Sequence, residues 1–577
     1  MQTKLFLWVW PWLIWSLVSC DTVKGDNIHD EVLAVIDRQY PAPVSSSLDG
    51  TKFLKKSRDS AFSLYAGEAS QSSLVDYSGF TQLSLTWHPN GKEVVFQEYN
   101  PDSGIYDLFG LDIDKRSRQR IAIPPSENCI PSIEFSKSGR YMAYMATRNS
   151  SSRIYVYDYI DNVLMDDSYV VQSPYSSFQW KDDSSLIFIE DSLRPVIMKV
   201  DIDDGTLSSY PLDDFSEVSN FTVNHNWILL TGRLKNEEYF QCFKFDLGSG
   251  TTEKLTEGDF NVTECTYSNY GPYYYYTRNE KGLPRLYCSD LRIDSIIQDV
   301  STATKGYQLS LELSKDDVYL MGYSLNAPMG IEHLNLGNRD IKPINTIGER
   351  GLEMPAPEFL NIENHAANTL VKAFFWPSNN NVAASEKTVL YIHGGPFLQS
   401  TPMWSEMVYV LTQYGFNVLS INYQGSSGYS NSYALKNKVP NQISDIVASI
   451  HFLEDHKQIG AEDIILMGSS YGGMLAAKAG RYVSNIGGVV LISGDMDSFP
   501  RDWNTDIMLL GFYGEMDPIS EKMKFIFNDV GLLNSKNAQF TFFEKEGHLF
   551  HRSTTWANIY SKIINTFHSN AIFQTKL

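Results

Sequence analysis

Short apolar runs alternate with polar turns along the whole chain, and the rhythm of this alternation changes near residue 350. Before that point, strand-like runs and turns rich in Asp, Asn, Ser and Gly recur about every 40–48 residues, the period of a four-stranded propeller blade. The turns lie at residues 48–50, 88–91, 136–139, 181–184, 224–226, 269–272 and 314–317. The pattern predicts a seven-bladed β-propeller over residues 43–350. A β-sandwich is the alternative, but nothing in a sandwich requires a repeat.

After a linker at residues 351–357, the rhythm becomes that of strands alternating with helices. Glu358–Ile362 is predicted to open this second sheet, and apolar strands separated by helical stretches follow to the end of the chain. Such alternation is typical of βαβ units and a doubly wound, mostly parallel sheet. Residues 351–577 are therefore predicted to form an α/β domain.

The first twenty residues are predicted to be a targeting segment. The apolar run Leu5–Trp15 is short for a membrane span and is interrupted by Pro11. Leu17–Cys20 resembles a bacterial lipobox, which predicts a lipid anchor on Cys20 and a place in the cell envelope or periplasm. An ordinary signal peptide and an uncleaved anchor are the alternatives. Residues 21–42 would then be a linker with a short helix.

The charge and the cysteines narrow the functional classes. The formal net charge is −21 and the isoelectric point is near 5.0, which disfavours nucleic acid as a partner. Cysteines beyond Cys20 lack the close pairs of zinc sites, so no metal is predicted. They permit disulfides in three connectivities or buried free thiols, and both alternatives stay open. These cysteines are Cys129, Cys242, Cys265 and Cys288.

Gly468–Gly473 is the strongest chemical motif in the chain. It has the G-x-S-x-G pattern, with the apolar run Ile464–Met467 before it and the helix-forming run Met474–Ala479 after it. A strand, a sharp turn and a helix are the context in which this pattern forms a nucleophile elbow. Ser470 is therefore the candidate nucleophile of an α/β-hydrolase fold.

A nucleophilic serine needs a histidine base, which follows it along the chain in this fold. His548 lies in a glycine-containing loop just after the strand-like run Phe540–Phe543, the expected place for the base. His551 and His568 are weaker candidates, because the former has no glycine in its loop and the latter follows a predicted surface helix.

The acid that orients the base is predicted from the end of the preceding strands. Asp517 follows an apolar strand and a turn, and precedes a helical stretch. Asp495 and Asp497 follow the strand before that one and are the alternatives. Aspartates at strand ends are also common caps and turn formers, so the order along the chain favours Asp517.

Backbone donors for an oxyanion are predicted from a second glycine-rich loop. His393–Phe397 follows the strand-like run Thr388–Ile392, about 75 residues before the elbow. In this fold the N–H of such a loop and that of the residue after the nucleophile bind the oxyanion. The candidates are Gly395 and Tyr471.

Four motifs in order resemble the prolyl oligopeptidase family of serine peptidases. They are His393–Phe397, Asn422–Tyr429, Gly468–Gly473 and Glu546–His548. The first is most similar to the acylaminoacyl-peptidase branch. The resemblance implies cleavage of short peptides by a triad of Ser470, Asp517 and His548 without a cofactor. It also implies a propeller that restricts access, and an N-terminal segment that packs on the hydrolase domain.

The chain departs from the family pattern in three places. Only about twenty residues lie between Gly494 and Asp517, where relatives carry a longer segment that often lines the substrate pocket. The pocket is then either open or lined by other aromatic residues, for which Trp503 and Phe512 are candidates. Gln424 stands where relatives often have Arg, so a local ion pair is absent. Residues 440–445 replace a Trp-Gly and Asp pattern.

The sequence leaves alternatives open for both the substrate and the activity. Relatives with aminopeptidase activity bind a free α-amine with paired glutamates of the propeller, and Glu237 with Glu238 is an adjacent pair. A solvated surface is the simpler interpretation of that pair. An esterase with the same triad and a non-catalytic, membrane-tethered scaffold are the competing functions. The sequence favours a peptidase, because small-ester hydrolases rarely carry a propeller.

Overall fold

A computed structural model describes residues 28–30, 32–33, 45–46, 52–56, 61–66 and 69–76. It also describes 85–345 with short gaps, and 354–568 except 380–386, 484 and 551. The predicted targeting segment with Cys20, and also Cys129 and His551, lie outside these residues. Among the described helices, none has the length and apolar character needed to cross a bilayer.

Seven four-stranded antiparallel sheets follow one another in the described part of residues 45–345. Sheets one to four comprise β1 (Ser45–Ser46), β2 (Lys52–Lys56), β3 (Ala61–Ala66), β4 (Ala69–Asp76); β5 (Leu85–Trp87), β6 (Glu93–Asn100), β7 (Ile105–Asp112), β8 (Ser117–Arg120); β9 (Ile133–Phe135), β10 (Tyr141–Arg148), β11 (Ser151–Asp158), β12 (Val163–Val171); and β13 (Phe178–Trp180), β14 (Ser185–Ile189), β15 (Val196–Asp201), β16 (Leu207–Pro211).

Sheets five to seven complete this series. They comprise β17 (Phe215–Asn224), β18 (Trp227–Leu234), β19 (Gln241–Asp246), β20 (Thr252–Lys254); β21 (Asn261–Tyr267), β22 (Tyr273–Glu280), β23 (Leu283–Asp290), β24 (Ile293–Asp299); and β25 (Lys305–Glu312), β26 (Asp317–Ser324), β27 (Gly330–Asn335), β28 (Asp340–Asn345). From sheet two onward, neighbouring sheets bury apolar side chains against each other, as in the cluster that joins sheets three and four. The tyrosine-rich β22 is such a packed strand, as predicted.

The first strand of each sheet contacts the first strand of the next from sheet one to sheet six. Side-chain hydrogen bonds join these strands at equivalent positions. Thr86 Oγ1 donates to the Ile133 carbonyl at 2.7 Å, and Thr222 Oγ1 donates to the Cys265 carbonyl at 2.9 Å. The propeller architecture is therefore confirmed, whereas its closure as a ring of seven blades stays a prediction.

The second part of the chain forms an eight-stranded sheet in the order β29-β30-β32-β31-β33-β34-β35-β36. The first two strands are antiparallel, and the sheet is parallel from β32 onward. The strands are β29 (Glu358–Asn364), β30 (Thr369–Trp376), β31 (Thr388–Ile392), β32 (Asn417–Asn422), β33 (Ile464–Ser469), β34 (Gly488–Ile492), β35 (Leu509–Gly514) and β36 (Ala538–Phe543). β29 opens the sheet, as predicted.

Helices cover both faces of this sheet, and each face has its own apolar core. They are α1 (Glu406–Gln413), α2 (Asn431–Ala434), α3 (Val439–Lys457), α4 (Tyr471–Gly480), α5 (Ile519–Asp529) and α6 (Ser553–Phe567). Because the central strands are buried on both faces, they appear in the sequence as continuous apolar runs. One side of α6 packs into the core and the other is exposed, as is typical of a surface helix, and His568 at its end is buried beside Phe416.

The segment before the propeller packs on the hydrolase domain, as the resemblance implied. Residues 28–30 and 32–33 are helical, and the side chains of Ile28 and Val32 are 1% and 0% exposed. Both belong to the same apolar core as Val408 of α1 and Phe416. This contact ties the start of the chain to the second domain.

Sheets five and six show which of the two alternatives, disulfides or buried free thiols, applies to their cysteines. Cys242 and Cys265 are buried free thiols, and Cys288 is buried as well. Thr231 lies beside this group, with its hydroxyl 3.3 Å from the sulfur of Cys265. Buried thiols are thus the observed state of Cys242 and Cys265.

The carboxyl group of Glu134 has an unusual pKa. Glu134 lies in β9, the first strand of sheet three. The indole N–H of Trp180 in sheet four donates to the Glu134 carbonyl at 3.1 Å. Burial raises the pKa of the Glu134 carboxyl to about 7. An unfolded chain loses this proton near the ordinary value, so the free energy of unfolding falls as the pH rises through the interval up to about 7.

We expect Glu134→Gln to remove this pH dependence of the free energy of unfolding. The variant should match the wild type near pH 4 and exceed its stability at pH 8 by about 1–3 kcal/mol, because the wild type must then hold a charge at a half-buried, desolvated position. Calorimetric unfolding temperatures across this pH range measure the difference. Glu253→Gln, at an exposed carboxylate of β20, is the matched control. Equal pH dependence in all three proteins would contradict the expectation.

Candidate active site

Ser470 lies at the turn between β33 and α4, where the sequence predicted a nucleophile. Its backbone is strained, with φ 51° and ψ −118°. The N–H of Ser470 donates to the carbonyl of Ile492 at the end of β34, at 2.8 Å. Non-glycine residues adopt such angles only where the surroundings hold them, and here the neighbouring strand does so.

The glycines of the turn are required by close backbone approaches. A Cβ on Gly472 would lie 2.1 Å from the carbonyl oxygen of Ile392, and one on Gly468 would lie 2.1 Å from that of Gly472. No side chain fits at such distances. The strained serine is therefore held between β31 and α4 by backbone packing.

His548 and Asp517 meet Ser470 in one hydrogen-bonded chain. His548 Nε2 is 2.9 Å from Ser470 Oγ, and His548 Nδ1 is 2.7 Å from Asp517 Oδ2. Asp517 follows β35 and is 2% exposed, whereas the imidazole is 39% exposed. Asp517 also accepts from the N–H of Ile519, at 3.2 Å, at the start of α5. This is the geometry of a nucleophile, a base and an orienting acid.

The alternative acids have another partner. Lys522 of α5 donates to Asp495 at 2.7 Å and to Asp497 at 3.1 Å. Asp517, by contrast, bonds directly to the imidazole. The order of candidates derived from the chain thus agrees with the geometry.

The pKa of His548 is raised above its ordinary value. The hydrogen bond that the imidazole donates to Asp517 is the main cause, and the charges of Asp517 and Asp495 act in the same direction. Burial opposes them. The imidazolium is therefore stabilised at the point where a proton from Ser470 would arrive.

Ser493 is a site residue that sequence reasoning missed. Its hydroxyl donates to the carbonyl of His548 at 2.9 Å, and its φ is 47°. It follows β34 and thus joins the histidine loop to the neighbouring strand. A side-chain bond between residues 55 apart gives no local signal, although a polar residue just after an apolar strand was visible.

The loop after β31 lies beside the nucleophile. A Cβ on Gly394 would be 3.5 Å from that of Ser470, and Gly395 has a φ of 54°. Tyr423 stacks on His393 at 4.3 Å, and its hydroxyl donates to the His393 carbonyl at 3.0 Å. Burial lowers the pKa of His393 to about 4, so this imidazole is neutral near pH 7. Gly395 and Tyr471 thus lie on two backbone segments that flank Ser470.

Gln424 replaces the expected ion pair with a neutral contact. Its side-chain amide donates to Asp445 at 3.0 Å, and its backbone N–H donates to the other carboxylate oxygen at 2.7 Å. Asp445 lies in α3, within the segment that departs from the family pattern, and is fully buried. Burial raises the pKa of Asp445, and hydrogen bonds from Gln424 and Asn364 oppose this effect.

The aromatic candidates for a substrate pocket are core residues. Phe512 is fully buried in β35, and Trp503 is 9% exposed and packs on Phe499 and Gly480. The prediction that they line a pocket was therefore wrong. Exposed apolar side chains flank the site instead, and these are Phe397, Leu398 and Leu549.

The adjacent glutamates of the propeller have protein partners. Glu237 pairs with Lys254 at 2.6 Å. Glu238 accepts from the N–H of Ser432 at 2.8 Å through its carboxylate, and from the N–H of Asn431 at 2.8 Å through its carbonyl. Both partners of Glu238 belong to α2 of the hydrolase domain. Glu238 therefore joins the domains, whereas Glu237 is paired within the propeller.

In the described part of the chain, no cluster of three or more His, Cys, Asp or Glu residues could hold a metal ion. An elbow serine, a histidine and a buried acid on this sheet, with a propeller joined to it, define a propeller-bearing α/β hydrolase.

Residues 402–484 match the model of the prolyl oligopeptidase family. This stretch of the hydrolase domain is thus similar to that family of serine peptidases, which confirms the resemblance. Acylamino-acid-releasing enzyme 2 of Oryza sativa subsp. japonica is 30% identical over 96 residues, which are 16% of this chain and 12% of that enzyme. Dipeptidyl-peptidase 4 of Giardia intestinalis is 22% identical over 269 residues, 44% of this chain and 33% of that protein.

Solved structures share the fold over nearly the whole chain. A puromycin-hydrolyzing peptidase of Mycobacterium tuberculosis superposes with a TM-score of 0.77 at 15% identity, covering 95% of this chain and 96% of that one. An acylaminoacyl peptidase of Pyrococcus horikoshii gives 0.67 at 15% identity, covering 93% and 96%. These likenesses establish the two-domain architecture.

The acid limb of the pH–activity profile should lie above the ordinary pKa of histidine. Only neutral His548 accepts a proton from Ser470, and Asp517 holds the imidazolium form to higher pH. We expect Asp517→Asn to move this limb to lower pH and to reduce kcat by about 10³–10⁴-fold. Profiles of kcat/KM against pH measure both effects. Asp497→Asn, at an exposed carboxylate, is the control, and the same loss in that variant would contradict the assignment.

Proposed function

We propose that this protein is a serine peptidase that cleaves short peptides through an acyl-enzyme. The observation that carries the proposal is the hydrogen-bonded chain from Asp517 through His548 to Ser470, with distances of 2.7 and 2.9 Å. Such a chain activates a hydroxyl that would otherwise be a weak nucleophile. The match of residues 402–484 to the prolyl oligopeptidase family model supports the same reaction class.

The proposed reaction has two halves. Ser470 Oγ attacks the scissile carbonyl carbon while His548 Nε2 takes the hydroxyl proton, and the oxyanion accepts from the N–H groups of Gly395 and Tyr471. The C–N bond then breaks, and the leaving amine takes the proton from His548. Water, deprotonated by the same imidazole, hydrolyses the ester on Ser470 and restores the free enzyme.

Access to this site is proposed to be limited by the propeller. Sheets five to seven carry its described hydrogen bonds to the hydrolase domain. Besides the Glu238 contacts, Asn261 donates to the Tyr429 carbonyl at 2.8 Å, and Asn279 donates to Gln399 at 3.2 Å. These bonds join the propeller to the loop after β32 and to the loop after β31, which carries Gly395. Closure of all seven sheets into one ring would leave room for short chains only.

The substrates are proposed to be peptides or aminoacyl amides without an essential free α-amine. The relatives release acylamino acids or dipeptides by name, and one structural neighbour hydrolyses puromycin. In this chain Glu238 binds α2, so the paired glutamates do not support recognition of an amine. The exposed apolar side chains of Phe397 and Leu549 favour an apolar substrate residue beside the scissile bond.

Replacement of the nucleophile tests the function. We expect Ser470→Ala to lose at least about 10⁴-fold in kcat on acyl-peptide and dipeptide anilides, and to lose labelling by a fluorophosphonate. Ser535→Ala, a serine elsewhere in the hydrolase domain, should keep both. Activity on p-nitrophenyl esters alone would favour the esterase, and an unlabelled folded wild type would favour the scaffold. Peptidase activity in Ser470→Ala would refute the role of this serine.

Export and lipid attachment are also proposed, on the lipobox-like Leu17–Cys20 segment. We expect Cys20→Ser to move the protein from the membrane fraction to the soluble fraction of a bacterial host. Cys265→Ser, at a buried thiol of the propeller, is the control. Immunoblots of the fractions measure the change, and membrane retention of Cys20→Ser would argue for a different anchor or none.

A further inference from the structure

The helix that follows the nucleophile begins without the side-chain cap that serine usually provides. Ser470 is the N-cap residue of α4, but its side chain makes no capping hydrogen bond. Its hydroxyl is bonded to His548 instead. A serine cap typically stabilises a helix by about 0.5–2 kcal/mol. The first turn of α4, which contains the N–H of Tyr471, must therefore be held in another way.

The side chain of Tyr471 makes such a bond to the neighbouring helix. Its hydroxyl donates to Gln442 Oε1 in α3 at 2.7 Å. Gln442 is fully buried, and its Nε2 donates to the carbonyl of Gln424 at 3.0 Å. A buried amide with both ends bonded has no freedom to turn, so it fixes the position of the tyrosine hydroxyl.

Asp445 accepts hydrogen bonds at the other end of this hydrogen-bonded chain. The backbone N–H of Gln424 donates to one carboxylate oxygen at 2.7 Å, and Asn364 of β29 donates to the other at 2.7 Å. The carboxyl group is fully buried and lies one helical turn after Gln442 in α3. The chain thus runs from the edge of the sheet to the residue beside the nucleophile.

We propose that Gln442 is a positioning residue, which holds Tyr471 through its hydroxyl and thereby fixes the backbone N–H that binds the oxyanion. This inference rests on the proposed function. Gln442 touches neither substrate nor triad, so its effect must pass through Tyr471. Because an oxyanion donor works only within a narrow distance range, a small shift of that N–H reduces the rate.

The test removes either end of the Tyr471–Gln442 bond. Loss of one oxyanion donor costs about 10²–10³-fold in kcat, so we expect a misplaced donor to cost about 10-fold. Tyr471→Phe and Gln442→Met should each show this loss in kcat with KM within about twofold. The double variant should be no slower than Gln442→Met, since the Tyr471–Gln442 bond is already lost in that variant. Rates of fluorophosphonate labelling should fall in parallel.

Controls separate positioning from folding. Gln97→Met replaces a buried glutamine of the propeller and should leave kcat unchanged. The acid limb of the pH profile should stay in place, because His548 is untouched. Tyr471→Phe keeps the ring, so it remains informative if Gln442→Met folds poorly.

Three outcomes would overturn the inference while leaving the peptidase in place. They are a wild-type kcat in Tyr471→Phe, losses that add in the double variant, and a change in KM alone, which would make Tyr471 a wall of the substrate site. A wild type that neither cleaves peptides nor reacts with the probe would remove the proposed function, and this inference with it.

Discussion

The rest of the site depends on one steric constraint, the contact of the Gly472 backbone with the carbonyl oxygens at the end of β31. A Cβ at this position would lie 2.1 and 2.4 Å from the oxygens of Ile392 and His393. The approach holds the strained Ser470 at the carboxyl edge of the parallel sheet. It also brings the two backbone segments that carry the candidate oxyanion donors to the same point. Substitution of this glycine would therefore disturb the nucleophile and both donors together.

A second constraint is electrostatic. Asp517 is almost fully buried and points at His548, whereas Asp495 and Asp497 bond to Lys522. Asp517 and Asp495 thus both act on the imidazole, and Asp497 bonds to the same lysine as Asp495, but only Asp517 bonds to the imidazole. The others are held by a cation, which limits their effect on the proton that the imidazole would carry. This difference in partners explains how an edge of the sheet with several carboxylates still has a single acid that orients the imidazole.

The sequence predicted most of what depends on local geometry and little of what depends on long-range pairing. Ser470, His548 and Asp517 follow apolar strands with characteristic turns, so their positions in the fold were visible along the chain. Ser493 and Gln442 act through bonds to residues 55 and 29 positions away, and no local pattern marks such bonds. Trp503 and Phe512 were misjudged for the same reason, because an aromatic residue near a site gives no sign of which way its side chain points.

Glu238 and Gln424 indicate how this chain differs from the family pattern. Glu238 was considered as a ligand for an amine, yet its carboxylate accepts from the start of α2 and ties the propeller to the hydrolase domain. Gln424 stands where an arginine is common, and its amide satisfies the buried Asp445 without a charge. A neutral partner compensates only part of the free-energy cost of burying a carboxylate, because hydrogen bonds replace only part of its hydration. A chain would keep such a costly group where its hydrogen bonds hold something in place, and here they lead to Tyr471 beside the nucleophile.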